Sequence, residues 1–244
     1  MSLMDHSGMT GDEWHEVMRS LEDIGPYYEK VNSLMTFGLI DRWRRRIASH
    51  ASPGDVVLEV GSGPGNFTRL LPSKTVYCLE PSGSLAGMSR KETDPERVTV
   101  VRGVGERMPL KDGSVDKAFC VFSFRDFFDR SAAAGELHRV LKEGGELFIA
   151  DIAKPAPGPL AKLMDMHFKH LVPVLARIAV SPTARLMWDR DPYAQLAETY
   201  RAFGSPNLYE RLLAEKGFEE VRTEYLELSG ATMTRGKKPW KSTS

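Results

Sequence analysis

Two glutamates and the glycine-rich loop between them are the residues whose types and spacing could do chemistry. Glu59 stands just before the loop 61–65, which reads Gly-Ser-Gly-Pro-Gly, and Glu80 closes the next apolar run. Glycines let the main chain turn sharply and approach a ligand closely. A carboxylate before the loop repels an anion and attracts a cation, such as a sulfonium or ammonium group. A carboxylate at Glu80 can accept hydrogen bonds from both hydroxyls of a ribose.

The loop differs from the pattern that binds dinucleotides. That pattern, G-x-G-x-x-G, directs a helix N-terminus at a pyrophosphate, whereas the third glycine here, Gly65, comes one position early. The loop and the two acids together favour S-adenosylmethionine, and the alternatives are NAD or a structural turn beside two surface acids. We predict that the following residues bind the cofactor: Glu59, Gly61, Ser62, Gly63, Gly65, Glu80, Pro81, Gly105, Glu106 and Val121.

The elements that must position these residues alternate between strands and helices. Runs of β-branched and apolar residues predict five strands, at 56–60, 75–79, 98–101, 118–122 and 146–150. Apolar residues at helical spacing predict helices at 66–71, 85–92, 132–141 and 208–216. Two last strands are close enough for a hairpin, at 220–228 and 231–235. This order predicts an α/β fold, a doubly wound and mostly parallel seven-stranded sheet with a C-terminal antiparallel hairpin, N-terminal helices and a helical lid insertion.

The same patterns divide the chain into four parts. Residues 1–52 form a helical N-terminal segment, and residues 53–153 form the Rossmann-like core that binds the cofactor. Residues 154–204 are apolar but broken by prolines, which predicts a helical lid or substrate insertion. Residues 205–244 return to the core sheet. We expect the arginine-rich stretch 42–46 to be a solvated helix face.

Composition excludes several classes of protein. The 244 residues carry 33 lysines and arginines against 33 aspartates and glutamates, a formal net charge of zero, which argues against a nucleic-acid partner. Cys78 and Cys120 lie in apolar runs and predict buried, reduced thiols in a cytoplasmic protein. His167 and His170 have no further ligand cluster nearby, so we expect no metal.

Beyond the glycine loop, the sequence resembles the class I S-adenosylmethionine-dependent methyltransferases, and among them the ubiquinone/menaquinone-biosynthesis C-methyltransferase family. The resemblance runs through most of the chain and rests on segments 28–38 (YEKVNSLMTFG), 105–110 (GERMPL), 122–126 (FSFRD), 137–145 (LHRVLKEGG) and 191–198 (DPYAQLAE). Three positions depart from the family pattern: Pro64 replaces a threonine, Val104 replaces an acid or amide that faces adenine, and Asp126 replaces an asparagine.

The resemblance implies methyl transfer from S-adenosylmethionine, leaving S-adenosylhomocysteine, to a small or lipid aromatic acceptor such as a demethylated quinol. Arg125 would stabilise a phenolate, and Asp126 would orient Arg125 or act as a base. Weaker candidates for substrate contact are Tyr28, Asn32, Phe37 and Tyr193. Transfer to oxygen or nitrogen of another acceptor, and a cofactor-binding protein without catalysis, remain alternatives.

A lipid acceptor would bring the protein to a membrane. The apolar segment 157–180 carries Lys162, Lys169 and Arg177, which would suit peripheral contact with a bilayer surface. An ordinary lid core or a homodimer contact is the alternative for the same segment. We therefore expect a cytoplasmic protein that contacts the membrane surface at most peripherally.

Overall fold

Seven strands form one sheet in the order β3-β2-β1-β4-β5-β7-β6. The computed structural model describes residues 11–153, 158, 162–163, 166–171, 174–175 and 207–241. The strands are β1 (Val56–Val60), β2 (Thr75–Glu80), β3 (Val98–Arg102), β4 (Val115–Val121), β5 (Leu141–Ile152), β6 (Glu219–Tyr225) and β7 (Ala231–Lys237). The first five strands are parallel, whereas β7 pairs antiparallel with both β5 and β6. The predicted fold, including the antiparallel hairpin, is confirmed.

Helices cover both faces of this sheet. They are α1 (Gly11–Ile24), α2 (Tyr28–Met35), α3 (Leu39–Ala48), α4 (Gly83–Glu92), α5 (Arg130–Val140) and α6 (Asn207–Glu215). Successive side chains of β1 point to opposite faces, so Leu58 packs in the cluster with α5 and α6 while Val57 packs in the cluster with α3. A strand that is buried on both faces explains the continuous apolar run in its sequence.

Two predicted elements differ most from the observed ones, while the strands expected at 118–122 and 220–228 are Val115–Val121 and Glu219–Tyr225. The helix expected at 66–71 is a single 3₁₀ turn, Thr68–Leu70, because Leu71 precedes a proline and adopts an extended conformation. The fifth strand begins at Leu141 rather than 146, since Leu141 already pairs with Val115 of β4. Of these two differences, only the second is a shift of an element end, where local patterns are weakest.

Other expectations concern burial and the lid. Cys78 and Cys120 are free thiols, both fully buried, and burial raises the pKa of each well above its usual range. Most of the predicted insertion 154–204 lies outside the described residues, apart from short pieces such as the π-helical turn His167–Leu171. Among the described residues, no helix is long and apolar enough to cross a membrane.

Candidate active site

The glycine loop joins β1 to the 3₁₀ turn that follows and is shaped by left-handed backbone. Gly61, Gly63 and Gly65 have φ values of 71°, 55° and 88°. A Cβ on Gly61 would lie 2.5 Å from Cβ of Ser123, and one on Gly65 would lie 3.0 Å from Oγ of Ser89. A Cβ on Gly63 would meet nothing within 4 Å. The outer glycines therefore permit packing against neighbouring segments, while Gly63 borders open space.

Glu80, at the carboxyl end of β2, is held by main-chain donors. Its Oε2 accepts a hydrogen bond of 2.8 Å from the backbone N–H of Gly63, and its Oε1 accepts one of 2.9 Å from that of Ser82. Burial raises the pKa of this carboxyl, and the two hydrogen bonds oppose that rise. Each oxygen keeps acceptor capacity, so the pair can take two ribose hydroxyls.

Glu59 lies on β1 and is only 2% exposed. Thr68 Oγ1 donates a hydrogen bond of 2.6 Å to its Oε2. Burial raises the pKa of Glu59 to about 8, and the Thr68 hydrogen bond and the nearby Arg44 charge lower it only in part. The carboxyl is therefore mostly neutral at pH 7 until a cation comes close enough to favour its ionised form.

A pocket of about 850 Å³, which includes its open mouth, lies over the carboxyl ends of β1, β2 and β4. All of the predicted cofactor-binding residues except Gly65 line it. Gly65 instead approaches Ser89 and Thr93 of α4 and its C-cap. Two of the lining residues, Gly61 and Gly63, belong to the loop, and two, Glu59 and Glu80, are acids buried at its base.

Five residues of the pocket wall come from helices and turns that the motifs did not indicate. They are Trp14, Met18 and Leu21 of α1, Arg44 of α3, and Phe127. The α1 residues recur at helical spacing, which indicates an apolar helix face without saying what that face covers. The expectation of a solvated arginine face is wrong for Arg44, which is 3% exposed, and right for its neighbours Arg42, Arg45 and Arg46.

The candidate catalytic pair lies on the 3₁₀ turn Phe124–Asp126 that follows β4. Asp126 lines the pocket, and burial raises its pKa to about 6 despite the opposing charge of Arg125. Arg125 does not line the pocket, and its guanidinium pairs with the buried Asp151 and lies 3.5 Å from Asp126. Tyr209 donates a hydrogen bond of 3.1 Å to the other oxygen of Asp151. The pair is thus anchored by a buried network.

The candidate substrate residues lie away from this pocket or beyond the described structure. Asn32, on α2, and Phe37, in the turn after it, are not among the residues that line the pocket. Phe37 is 71% exposed and its ring lies 4.8 Å from that of His167. The side chain of Tyr28 is outside the described part of the structure, as is all of Tyr193.

His167 lies against the C-terminal end of α2. Its Nε2 lies 2.7 Å from the carbonyl oxygen of Met35, and His170 is exposed. Within the described ranges, no group of three or more histidine, cysteine, aspartate or glutamate residues could hold a metal ion.

The residues present fit S-adenosylmethionine. Glu80 offers two acceptors to a ribose, and Glu59 offers an anion to an ammonium group. The wall also includes Leu85 and Val104, so an adenine ring would meet apolar side chains. The open space beside Gly63 leaves room for a ligand to approach the main chain closely.

Comparison with known proteins identifies the family. The profile of the ubiE/COQ5 methyltransferase family matches residues 9–238. The chain is 28% identical over 227 residues, covering 88% of this chain and 84% of the relative, to a ubiquinone/menaquinone biosynthesis C-methyltransferase from Vibrio cholerae. It is 27% identical over 226 residues to a demethylmenaquinone methyltransferase from Thermus thermophilus, covering 89% of this chain and 99% of the relative.

The fold has solved counterparts as well. A crystal structure of an S-adenosylmethionine-dependent methyltransferase from Thermotoga maritima superposes with a TM-score of 0.62 at 23% identity, covering 93% of this chain and 99% of that one. The likeness to that structure concerns the fold. The family profile spans nearly all of the sequence. The chain belongs to the ubiE/COQ5 methyltransferase family and is an S-adenosylmethionine-dependent methyltransferase.

Proposed function

We propose that this enzyme methylates a ring carbon of a demethylated quinol. The names of the Vibrio cholerae and Thermus thermophilus relatives support a quinol acceptor. The observation that carries the proposal is Asp126, a buried carboxyl with a pKa of about 6 at the wall of the cofactor pocket. Carbon methylation must remove a ring proton, and a carboxylate with that pKa is ionised at pH 7 and able to accept it.

The chain's own residues supply alignment and proton transfer. S-adenosylmethionine, when bound, supplies an electrophilic methyl group on a sulfonium. Glu80 would orient the ribose and Glu59 the ammonium group, which fixes the donor for in-line displacement. A bond would form between the ring carbon and the methyl carbon as the bond from methyl to sulfur breaks, and Asp126 would accept the ring proton.

Arg125 would act mainly through Asp126. Its guanidinium is already bound by Asp151, and Asp126 lies 3.5 Å away. A cation there favours the ionised form of Asp126 and stabilises negative charge that develops on the acceptor oxygen. Replacing Arg125 with alanine is expected to lower kcat steeply and to leave the affinity for S-adenosylhomocysteine close to that of the wild type. Unchanged turnover would remove Arg125 from the mechanism.

We also propose that the enzyme meets a lipid acceptor at the membrane surface. Several large apolar side chains are exposed near the lid, namely Phe37, Leu163, Met166 and Val174. The contact between Phe37 and His167 links this turn to the lid segment. Cosedimentation with anionic phospholipid vesicles, compared between wild type and Phe37→Asp, tests the proposal. Equal binding of both proteins, or none, would contradict it, and dimers in analytical ultracentrifugation would favour a contact between subunits instead.

The decisive experiment for the acceptor uses a labelled methyl donor and a demethylated quinol analogue. Label on a ring carbon supports the proposal. Label on oxygen or nitrogen would replace it with heteroatom transfer, and cofactor binding without any transfer would indicate a protein that binds the donor but does not catalyse. Asp126→Asn is the matched variant, since it keeps the shape of the side chain and removes its basicity.

A further inference from the structure

Arg44 is a buried cation in the wall of the cofactor pocket. It projects from α3, in the N-terminal helices, and is 3% exposed. Its Nη1 donates to both carboxylate oxygens of Glu29, at 2.7 and 2.9 Å, and lies 3.6 Å from Asp41. Among the residues that the structure describes, its Nη2 and Nε have no hydrogen-bond partner. One edge of a buried guanidinium is therefore left for something else.

The surroundings hold that edge in a defined place. Glu29 is fixed from a second side, because Asn66 Nδ2 donates a hydrogen bond of 2.6 Å to its Oε2. Both Arg44 and Asn66 line the cofactor pocket. Arg44 is also close enough to Glu59 for its charge to lower the pKa of that carboxyl. A guanidinium and a carboxyl group that a bound cation would ionise thus stand near one another in one wall of the pocket.

We propose that Arg44 binds the α-carboxylate of the amino-acid end of S-adenosylmethionine, with Glu29 as the residue that positions it. An α-amino acid carries an ammonium and a carboxylate on one carbon, and Glu59 and Arg44 offer the complementary pair. A guanidinium binds a carboxylate through two parallel hydrogen bonds, which a free Nη2 and Nε edge provides. The inference rests on the cofactor of the family and adds a role for the N-terminal helices.

The test measures a ratio of affinities rather than activity. Calorimetry with the full chain compares S-adenosylhomocysteine with its decarboxylated analogue, which keeps the amine and lacks only the carboxylate. We expect the wild type to bind the carboxylated ligand about 10- to 100-fold more tightly, the range for charge-assisted hydrogen bonds. Arg44→Met should reduce that preference to nearly one. Arg45→Met, an exposed neighbour on α3, is the matched control and should keep it.

A second variant keeps the test interpretable if Arg44→Met does not fold. The side chain of Glu29 is 42% exposed, so Glu29→Gln should fold. Two carboxylates that share one guanidinium repel each other, so this variant should raise the preference for the carboxylated ligand several-fold. A purely structural ion pair predicts an unchanged ratio in both variants, and that result would overturn the inference. If the wild type bound neither ligand, the cofactor assignment itself would fall first.

Discussion

Cofactor binding should release a proton from Glu59. In the empty pocket this carboxyl has a pKa of about 8, so about nine-tenths of the molecules carry the proton at pH 7. An ammonium group within hydrogen-bonding distance favours the carboxylate form, so it lowers the pKa of Glu59 by several units, as opposite charges do in other buried pairs. About 0.9 protons per ligand should therefore leave Glu59 at pH 7. The same coupling makes the affinity depend on pH, because protons compete with the ligand below pH 8.

The magnitude follows from the linkage of the two equilibria. A ligand that requires ionised Glu59 should bind about 50-fold more weakly at pH 6 than at pH 8. The stability of the fold depends on pH in the opposite sense to the affinity for the ligand. The raised pKa means that folding takes up a proton, so the stabilising contribution is complete below pH 4.5 and is lost as the pH rises toward 8. Glu59→Gln escapes this loss and should be more stable by roughly 3 kcal/mol at pH 7.

Calorimetry with S-adenosylhomocysteine measures the released proton directly. Titrations at pH 7 in buffers of different ionisation enthalpy give the number of protons from the slope of the observed enthalpy. Glu59→Gln in the same buffers subtracts the contribution of the ligand's own amine. Thermal or denaturant unfolding of both proteins then gives the change in stability. A slope that is the same for wild type and Glu59→Gln, together with an affinity that does not fall between pH 8 and pH 6, would refute the reasoning.

Predictions at three other residues have defined outcomes. At saturating S-adenosylmethionine, the kcat/KM of the wild type for the acceptor should fall about tenfold per pH unit below pH 6 as Asp126 takes up a proton, and Asp126→Asn should lose about 10²- to 10⁴-fold in kcat with an unchanged dissociation constant for S-adenosylhomocysteine. Glu80→Gln should weaken that ligand about tenfold or more, because one oxygen that accepts from the main chain and from a ribose hydroxyl becomes a donor. Gly61→Ala should lower the free energy of unfolding by about 1–3 kcal/mol, because its Cβ would overlap Ser123, and urea unfolding would show this.

The sheet and the acids could be predicted from the sequence because each depends on a short stretch of chain. The run 56–60 is apolar at successive positions, which only a strand buried on both faces explains. Glu59 and Glu80 end or nearly end such strands, and parallel strands bring their carboxyl ends to the same edge of the sheet. Local pattern and topology together therefore predicted where both acids would lie.

The wall that the N-terminal helices contribute could not be predicted in the same way. Whether an amphipathic helix covers a pocket or an ordinary core depends on tertiary packing, and its own spacing is the same in both cases. The spacing of Trp14, Met18 and Leu21 indicates an apolar helix face but does not indicate that this face borders the pocket. Arg125 shows the same limit, because its partner Asp151 is on β5 and only the folded sheet brings the two together.

Arg44 shows most clearly how the charge pattern of the sequence differs from what the folded helix reveals. Four of the five residues at 42–46 are arginines, and charge pattern alone treats them alike. Helical geometry does not, since Trp43, Arg44 and Ile47 share the buried side of α3 while Arg42, Arg45 and Arg46 face outward. A buried arginine has lost its hydration, so its charge needs a partner. Glu29 and Asp41 engage only one nitrogen of Arg44, which lines the pocket. A net charge of zero therefore conceals a site in which a guanidinium and a carboxyl group are held at fixed places. Their arrangement, rather than the sum of the charges, suits a zwitterionic ligand.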